Sequence, residues 1–395
     1  MTKHDFFEKL NYELGNMDGN TKTEILNDFR EHFEVAERAG KSEEEICRIL
    51  GDPREIAVDF THDTGGAPHL QMKERRDYGH HEEHSSGTFI QRLNANGIIK
   101  VQVININSDI EVHGEDTDII NVEIDDDDAR YFTATVAPGG VFIIKETRRR
   151  STHLTLTLPV SYEGTLEIGT SSGDVDVDGL ENLRSMNIKT GSGDLGAHNI
   201  GSGGISLSTG SGDIELTSCV ALEGFNVSTG SGDVVSEEGE GNFNVSTGSG
   251  DISVEGHRGT VRASAGSGCI EVSTDEITGD ISYSTGSGEI EVSCERLSGN
   301  IRMSSGSGDI NFQAREVHGD ISAKTASGSI ELGLGAESDV KFKLTRVGRG
   351  GSVTNAFDEI AAYDPQRGVH YTNRDNARYM VKCETVSGDI EVNAI

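Results

Sequence analysis

From Asn96 to the C-terminus, apolar and polar residues alternate in short runs. "IIKVQVININSDIEV" and "DIINVEI" put Ile or Val at every second position, the pattern of strands with one face in a core. "GDISYSTGSGEIEVS" offers Ile281 and Tyr283 on one face, then a glycine-rich turn, then Ile290 and Val292 on one face. Other copies place Phe225 and Val227, Phe243 and Val245, or Ile301 and Met303 in the first slot, with Ser, Asn, Glu or Arg between them. Each unit therefore predicts two short strands with apolar sides turned inward, joined by a "TGSG" corner. The corner glycines are expected to supply backbone angles that other residues resist, with Ser or Asp bonding the turn amides.

The first 60 residues follow a helical period instead. Phe6, Phe7, Leu10 and Leu14 form one stripe, and Ile25, Leu26, Phe29 and Phe33 another. Gly40 can end the second helix, and "SEEE" at Ser42–Glu45 is a capping box that opens a third. Gly51 can stop that one, and Pro53 suits the first turn of a fourth. Helices this short must pack as a bundle, with Ile46 and Leu50 among its apolar positions. Residues 61–95 are polar and without period, which predicts a linker; they include His80, His81 and His84 beside Glu82 and Glu83.

The β-rich part keeps time. The residue after each "SG" falls at 174, 194, 213, 233, 251, 269, 289, 309 and 329, then at 389, so the intervals are 18 to 20 and the last gap of 60 equals three periods. A linker has no reason to count, whereas a solenoid must, because each coil stacks on the one before. Twenty residues at ~3.3 Å each give a loop of roughly 66 Å, which flattens into two sheets around one layer of side chains. At ~4.8 Å per coil, about ten coils make a rod near 50 Å long. The expected fold is mainly β: a solenoid of about 20-residue, two-strand coils over 96–395, regular from about 160 to 335, with an irregular insertion near 356–379 and a last coil to 395, behind a small helical bundle.

Composition narrows the function. The formal charge of −33 argues against nucleic acid or anionic lipid, which reward clustered Lys and Arg. No apolar run reaches the roughly 18 residues of a membrane helix, and "MTKHDFFEKL" lacks the layout of a signal peptide. Five scattered Cys (Cys47, Cys219, Cys269, Cys294, Cys383) fit reduced thiols in a cytosol.

Candidate chemistry mostly dissolves into the repeat. "GTSSG" at Gly169–Gly173 imitates a nucleophile elbow, and "GSGDLG" at Gly191–Gly196 a dinucleotide fingerprint, but neither opens a helix. "DVDVDG" at Asp174–Gly179 resembles the front of a calcium loop whose twelfth position is Ser185, not Glu. The acidic run Asp125–Asp128 and the basic Arg148–Arg150 read as exposed loops. The corner acids Asp174, Asp194, Asp213, Asp233, Asp251, Glu289, Asp309 and Asp389 are expected to stack as a ladder that caps turns rather than holding calcium. A polysaccharide-cleaving β-helix would need convergent acid/base residues and aromatic platforms, and the array has no Trp. No catalytic residue, cofactor or metal is expected. The segment Ala356–Tyr379, where Asp, Arg, His and Tyr gather irregularly, is the first place to look for a ligand.

Two stretches resemble known families. "GKSEEEICRILGDPREIA", with its Gly51-Asp52-Pro53 signature, resembles the HAAS family, a small helical signalling domain of bacteria. "HLTLTLPVSYEGTLEIGTSSGDVDV" followed by repeated "TGSGDIEV" resembles the Toastrack family, also called "putative adhesin". Relatives often carry a membrane span between the two parts; here a polar linker stands there. The resemblance implies a non-enzymatic scaffold or sensor in bacterial cell-envelope stress signalling. Its helical domain would dock a PadR-like regulator or an envelope-signalling membrane protein, in the cytoplasm or at the membrane through that partner. The alternative is a surface adhesin-like or polysaccharide-binding protein exported by another route. End coils stack on one another unless capped, which makes a second copy a further candidate partner.

Overall fold

A chain whose apolar alternation recurs every 18 to 20 residues can close a core by winding, and the computed structural model of the protein winds. It describes residues 2–13, 88–125, 131–147, 153–348, 351–357, 362–364, 368–371 and 376–395. The chain forms two compact units, Met1–Glu82 and Glu83–Ile395.

In the first unit a helix spans Lys3–Glu13. Thr2 and Asp5 cap its start reciprocally: the Asp5 amide donates to Thr2 Oγ1 at 3.2 Å and the Thr2 amide to Asp5 Oδ2 at 3.1 Å. Phe6 and Leu10, one turn apart, are fully buried. The other expected helices, Gly51, Asp52 and Pro53, the His80, His81 and His84 cluster, Asp126–Asp128 and Arg148–Arg150 lie outside the described residues.

The second unit is a parallel stack of two sheets, one of 15 strands and one of 16. Each coil puts one strand in each sheet. Gly201–Thr209 of the 16-stranded sheet leads through the corner at Gly210–Asp213 to Ile214–Thr217 of the 15-stranded sheet, then back to Val220–Thr229. Neighbouring coils pair in register, Leu207 with Val227 and Val227 with Val245, so every inward side chain sits on its equivalent. Phe225, Phe243, Tyr283, Met303 and Phe312 are all at most 1% exposed in the resulting core. The coil type changes once along the stack. In the 15-stranded sheet the strands lengthen from four residues at Ile252–Glu255 to nine at Ile270–Thr278. In the other sheet they shorten from eight at Glu240–Thr247 to five at Val261–Ala265.

Both ends of the array depart from a simple winding. The first coil, Lys100–Ile106 with Asp109–Glu115, lies between Val141–Glu146 with His153–Pro159 on one side and the coil that begins at Thr165 on the other. The last, Tyr379–Thr385 with Ile390–Ala394, is inserted between the coil of Ile321–Thr325 and Ile330–Leu334 and the coil of Val340–Arg346 and Val353–Asn355. The interval of 60 between residues 329 and 389 is thus three periods of sequence but a single step in space, with the Ile330 amide on the Asp389 carbonyl at 2.9 Å. Beyond the outermost coils the pairing turns antiparallel. Phe132–Ala137 runs against Val141–Glu146, Ile119–Asp125 against His153–Pro159, and Val369–Tyr371 against Val340–Arg346. These strands cover parallel edges that would otherwise accept another coil. Thr88–Asn94, inside the stretch expected to be linker, is the outer strand of one such edge. Part of the expected insertion, Ala362–Asp364 with Val369–Tyr371, is a hairpin on the other.

A histidine is sealed in the core. His257 is 1% exposed, its ring 5.4 Å from that of Phe243 and 6.0 Å from that of Phe225. Its Nε2 donates to the Gly241 carbonyl at 2.8 Å, and Nδ1 has no partner among the described residues. Burial holds its pKa below 6.5, although the Gly241 carbonyl and Glu240 act the other way. The unfolded chain therefore takes up the proton first, so stability present above about pH 6.5 falls as the pH drops below that value. We expect a loss of up to about 1.4 kcal/mol per pH unit from this residue, absent in His257→Phe. Urea unfolding of both proteins between pH 7.5 and 5 checks it; parallel pH profiles would contradict it.

Candidate interaction surface

The corner "T-G-S-G-D" is built from three stacked ladders. The first is a hydroxyl ladder. Thr229 Oγ1 accepts the Gly232 amide at 3.1 Å and donates to the Gly212 carbonyl of the preceding coil at 2.9 Å. Thr190, Thr209, Thr247, Thr285, Ser305 and Thr325 repeat both bonds, and all are buried. A donor and an acceptor on one atom allow each hydroxyl to close its own turn and clamp the next. This residue was hidden in the sequence because it reads as one more polar letter beside the glycines.

The second ladder is the carboxylate row. The Asp194 amide donates to Asp174 Oδ1, Asp213 to Asp194 and Asp233 to Asp213, each at 2.8 Å, and Asp251 to Asp233 at 2.7 Å. It begins one coil earlier than the count of "SG" corners, at Asp109, which takes the Asp174 amide at 3.0 Å. The signal was present in "NSDIEV", where Asn stands for the usual turn residues. Cys269 takes the Asp251 bond but, like Glu289, does not pass one on; the row resumes at Asp309, which holds the Ser329 amide at 2.7 Å. Asp389 closes it by accepting the Ser352 amide, which holds its carboxyl below the usual range. Among the described residues no group of three His, Cys, Asp or Glu is placed to hold a metal ion. A shorter Asx row runs along an opposite corner. Asn300 donates to Asp280 Oδ1 at 2.7 Å, Asp320 to Asn300 Oδ1 at 3.0 Å and Met380 to Asp320 Oδ1 at 2.8 Å.

The third ladder is the glycines, and their reason differs from the expected one. A Cβ on Gly193, Gly212, Gly232 or Gly250 would stand 1.9–2.0 Å from the carbonyl oxygen of the glycine one coil below. Close stacking excludes side chains there. Positive φ belongs to one corner glycine, Gly388 (156°), and recurs as a column at the far end of the short strands, at Gly179 (73°), Asn199 (54°), Ser218 (54°), Glu238 (53°) and Gly256 (63°).

One corner lacks two of the ladders: Ala265 replaces the hydroxyl and Cys269 the carboxylate. Ala265→Thr should give the Gly268 amide an acceptor and the Gly250 carbonyl a donor, raising stability by about 1 kcal/mol. A urea midpoint that stays put or falls would count against the hydroxyl ladder as a stabilising device.

The outer faces carry scattered bonds between coils, such as Ser228 to Ser208 at 3.1 Å and Arg296 to Glu316 at 2.7 Å, and differ in charge. On the 15-stranded sheet one register row reads Glu111, Asp176, Gly196, Glu215, Val235, Ser253, Glu271, Glu291, Asn311, Glu331, Glu391 and Thr354. It contains no Lys or Arg. On the 16-stranded sheet the matching row passes from Asn187, Ser206, Asn226 and Asn244 to Arg262, Ser282, Arg302, Ser322, Lys382 and Lys343. A shallow depression of about 350 Å³ on this face is lined by Ser, Asn and Arg262.

The model of the HAAS family matches residues 5–58, and that of Toastrack DUF4097 matches 99–312 and 286–393. No curated protein matches the chain. Among solved structures, a "putative adhesin" from Parabacteroides distasonis is 11% identical, covering 78% of this chain and 98% of its own with a TM-score of 0.31. A "putative lipid binding protein" from the same species is 13% identical over 78% and 97%, TM-score 0.30, and a "putative cell adhesion protein" from Clostridium sporogenes 10% over 78% and 99%, TM-score 0.16. The repeat that winds residues 100–394 is the one this family model describes: the chain belongs to the Toastrack DUF4097 family, with a HAAS domain at its N-terminus.

Proposed function

We propose that the protein is a non-enzymatic scaffold of bacterial cell-envelope stress signalling. The HAAS domain docks a PadR-like regulator or an envelope-signalling membrane protein, and the solenoid presents long regular faces to other molecules. The observation that carries this reading is how the polar groups of the repeat are used. The carboxylates and hydroxyls that look like site residues are mostly committed to amides and carbonyls of neighbouring coils. That supports reading Asp174 and its equivalents as structural caps of the corners, which leaves surfaces suited to contact rather than to acid/base chemistry. No helix among the described residues is long and apolar enough to cross a membrane, so a membrane partner would be reached through a protein contact. The test is affinity capture from bacterial lysate with the full chain and with a chain lacking residues 1–62. A regulator or signalling protein captured by the full chain and lost with the helical domain is the expected result. Partners retained by the shortened chain would place the signalling end in the solenoid and overturn this assignment.

A further inference from the structure

The two outer faces of the solenoid are complementary in charge and identical in pitch. From Arg262 onward the 16-stranded sheet presents Arg302, Lys324, Lys341, Lys343 and Lys382, with Glu384 3.5–3.6 Å from Lys382 and Lys324. The other sheet presents Glu271 beside Glu291 and Glu331 beside Glu391, each pair in direct register. Like charges one strand apart destabilise each other, and Lys382, the register partner of Lys343, shares the carboxylate of Glu384 with Lys324. Because both rows are carried by the same coils, both advance by the same ~4.8 Å strand spacing, and a charged row on one solenoid stays in step with the opposite row on another.

We propose that these faces dock on each other between two copies of this chain, the cationic segment of one 16-stranded sheet lying along the acidic row of the other copy's 15-stranded sheet. The occupant is another copy because this chain's own 15-stranded sheet supplies carboxylates at the matching interval. The overall charge of −33 favours this orientation over others, since any pose that does not bring the cationic segment into contact is repulsive. The contact is heterologous, so it leaves one face of each copy available and can extend side by side.

The experiment is sedimentation velocity of the full chain at rising concentration, with two charge-reversed variants, R302E/K343E/K382E and E271K/E291K/E331K. All six side chains are on outer faces, and circular dichroism melts confirm that each variant is folded. The wild type should associate reversibly near 0.1 M salt and return to monomer near 1 M, where the Debye length shrinks to about 3 Å. Each variant alone should stay monomeric, and an equimolar mixture of the two should associate again. A wild type that is monomeric throughout, association that survives either reversal, or a mixture that fails to recover it would overturn the proposal. So would a monomeric wild type whose cationic face is instead retained on a polyphosphate or polyuronate matrix. Capture of a regulator through the helical domain is unaffected by these variants, so this proposal and the signalling assignment fail separately.

Discussion

Deleting residues 376–395 should unfold far more of the protein than its last coil. In a solenoid wound in simple order, loss of the final repeat removes one interface and leaves the rest standing. Here Val381, Cys383, Ile390 and Val392, each at most 1% exposed, are packed between coils on both sides. Their removal opens a slot that exposes Ile321, Ile330 and Leu332 on one wall and Val340 and Phe342 on the other, all buried in the intact chain. Burying a Val, Leu, Ile or Phe side chain is worth roughly 1.5–3 kcal/mol, so the loss comes to more than about 5 kcal/mol, comparable with the whole stability of an ordinary domain. The truncated chain should therefore be insoluble, or should melt in a broad transition well below the parent. A cooperative melt within a few degrees of the full chain would mean that the coil at Val340 slides across to close the slot, and the inserted coil would then have no special weight.

The second large effect is expected at a single atom. Gly232→Ala places a methyl group 1.9 Å from the Gly212 carbonyl oxygen, with Asp213 Oδ1 at 2.8 Å. Backbone on both sides is held by the hydroxyl and carboxylate ladders, so relief requires breaking them. The cost should be about 3 kcal/mol or more, at the upper end of overpacking effects. Gly169→Ala is the control, because its methyl would meet only the Val103 carbonyl, at 4.0 Å. Denaturant midpoints of the two variants should separate clearly. Equal midpoints would show that coils can be spread apart at little cost, and that the glycine column is there for another reason.

The coil period, the inward residues and the corner carboxylates were legible in the sequence because each is local or strictly periodic. Phe225, Phe243 and Tyr283 could be placed in the core by alternation alone. What the sequence conceals is spatial order. Nothing in a 60-residue gap tells a reader that Asp389 sits one step from Ser329, since the gap is a multiple of the period whether the chain continues or doubles back. The corner glycines were legible as residues but not as a mechanism, because a carbonyl from another coil and a left-handed backbone both demand a missing side chain. The charge split between the faces was spread over single letters 20 residues apart and appears only once register lines them up.

The changeover between Glu255 and Ile270 has a consequence for how the molecule breathes. Strand lengths exchange between the sheets there, and the same coil holds the corner with neither a hydroxyl nor a carboxylate to hand on. That corner has no hydroxyl to close its own turn, so amide hydrogen exchange should be fastest near Ala265–Cys269 and should divide the array into two cooperative blocks. Each block keeps its own run of hydroxyl-ladder bonds and its own antiparallel outer end. A load pulling along the stack would part it at this seam, and both halves would remain wound.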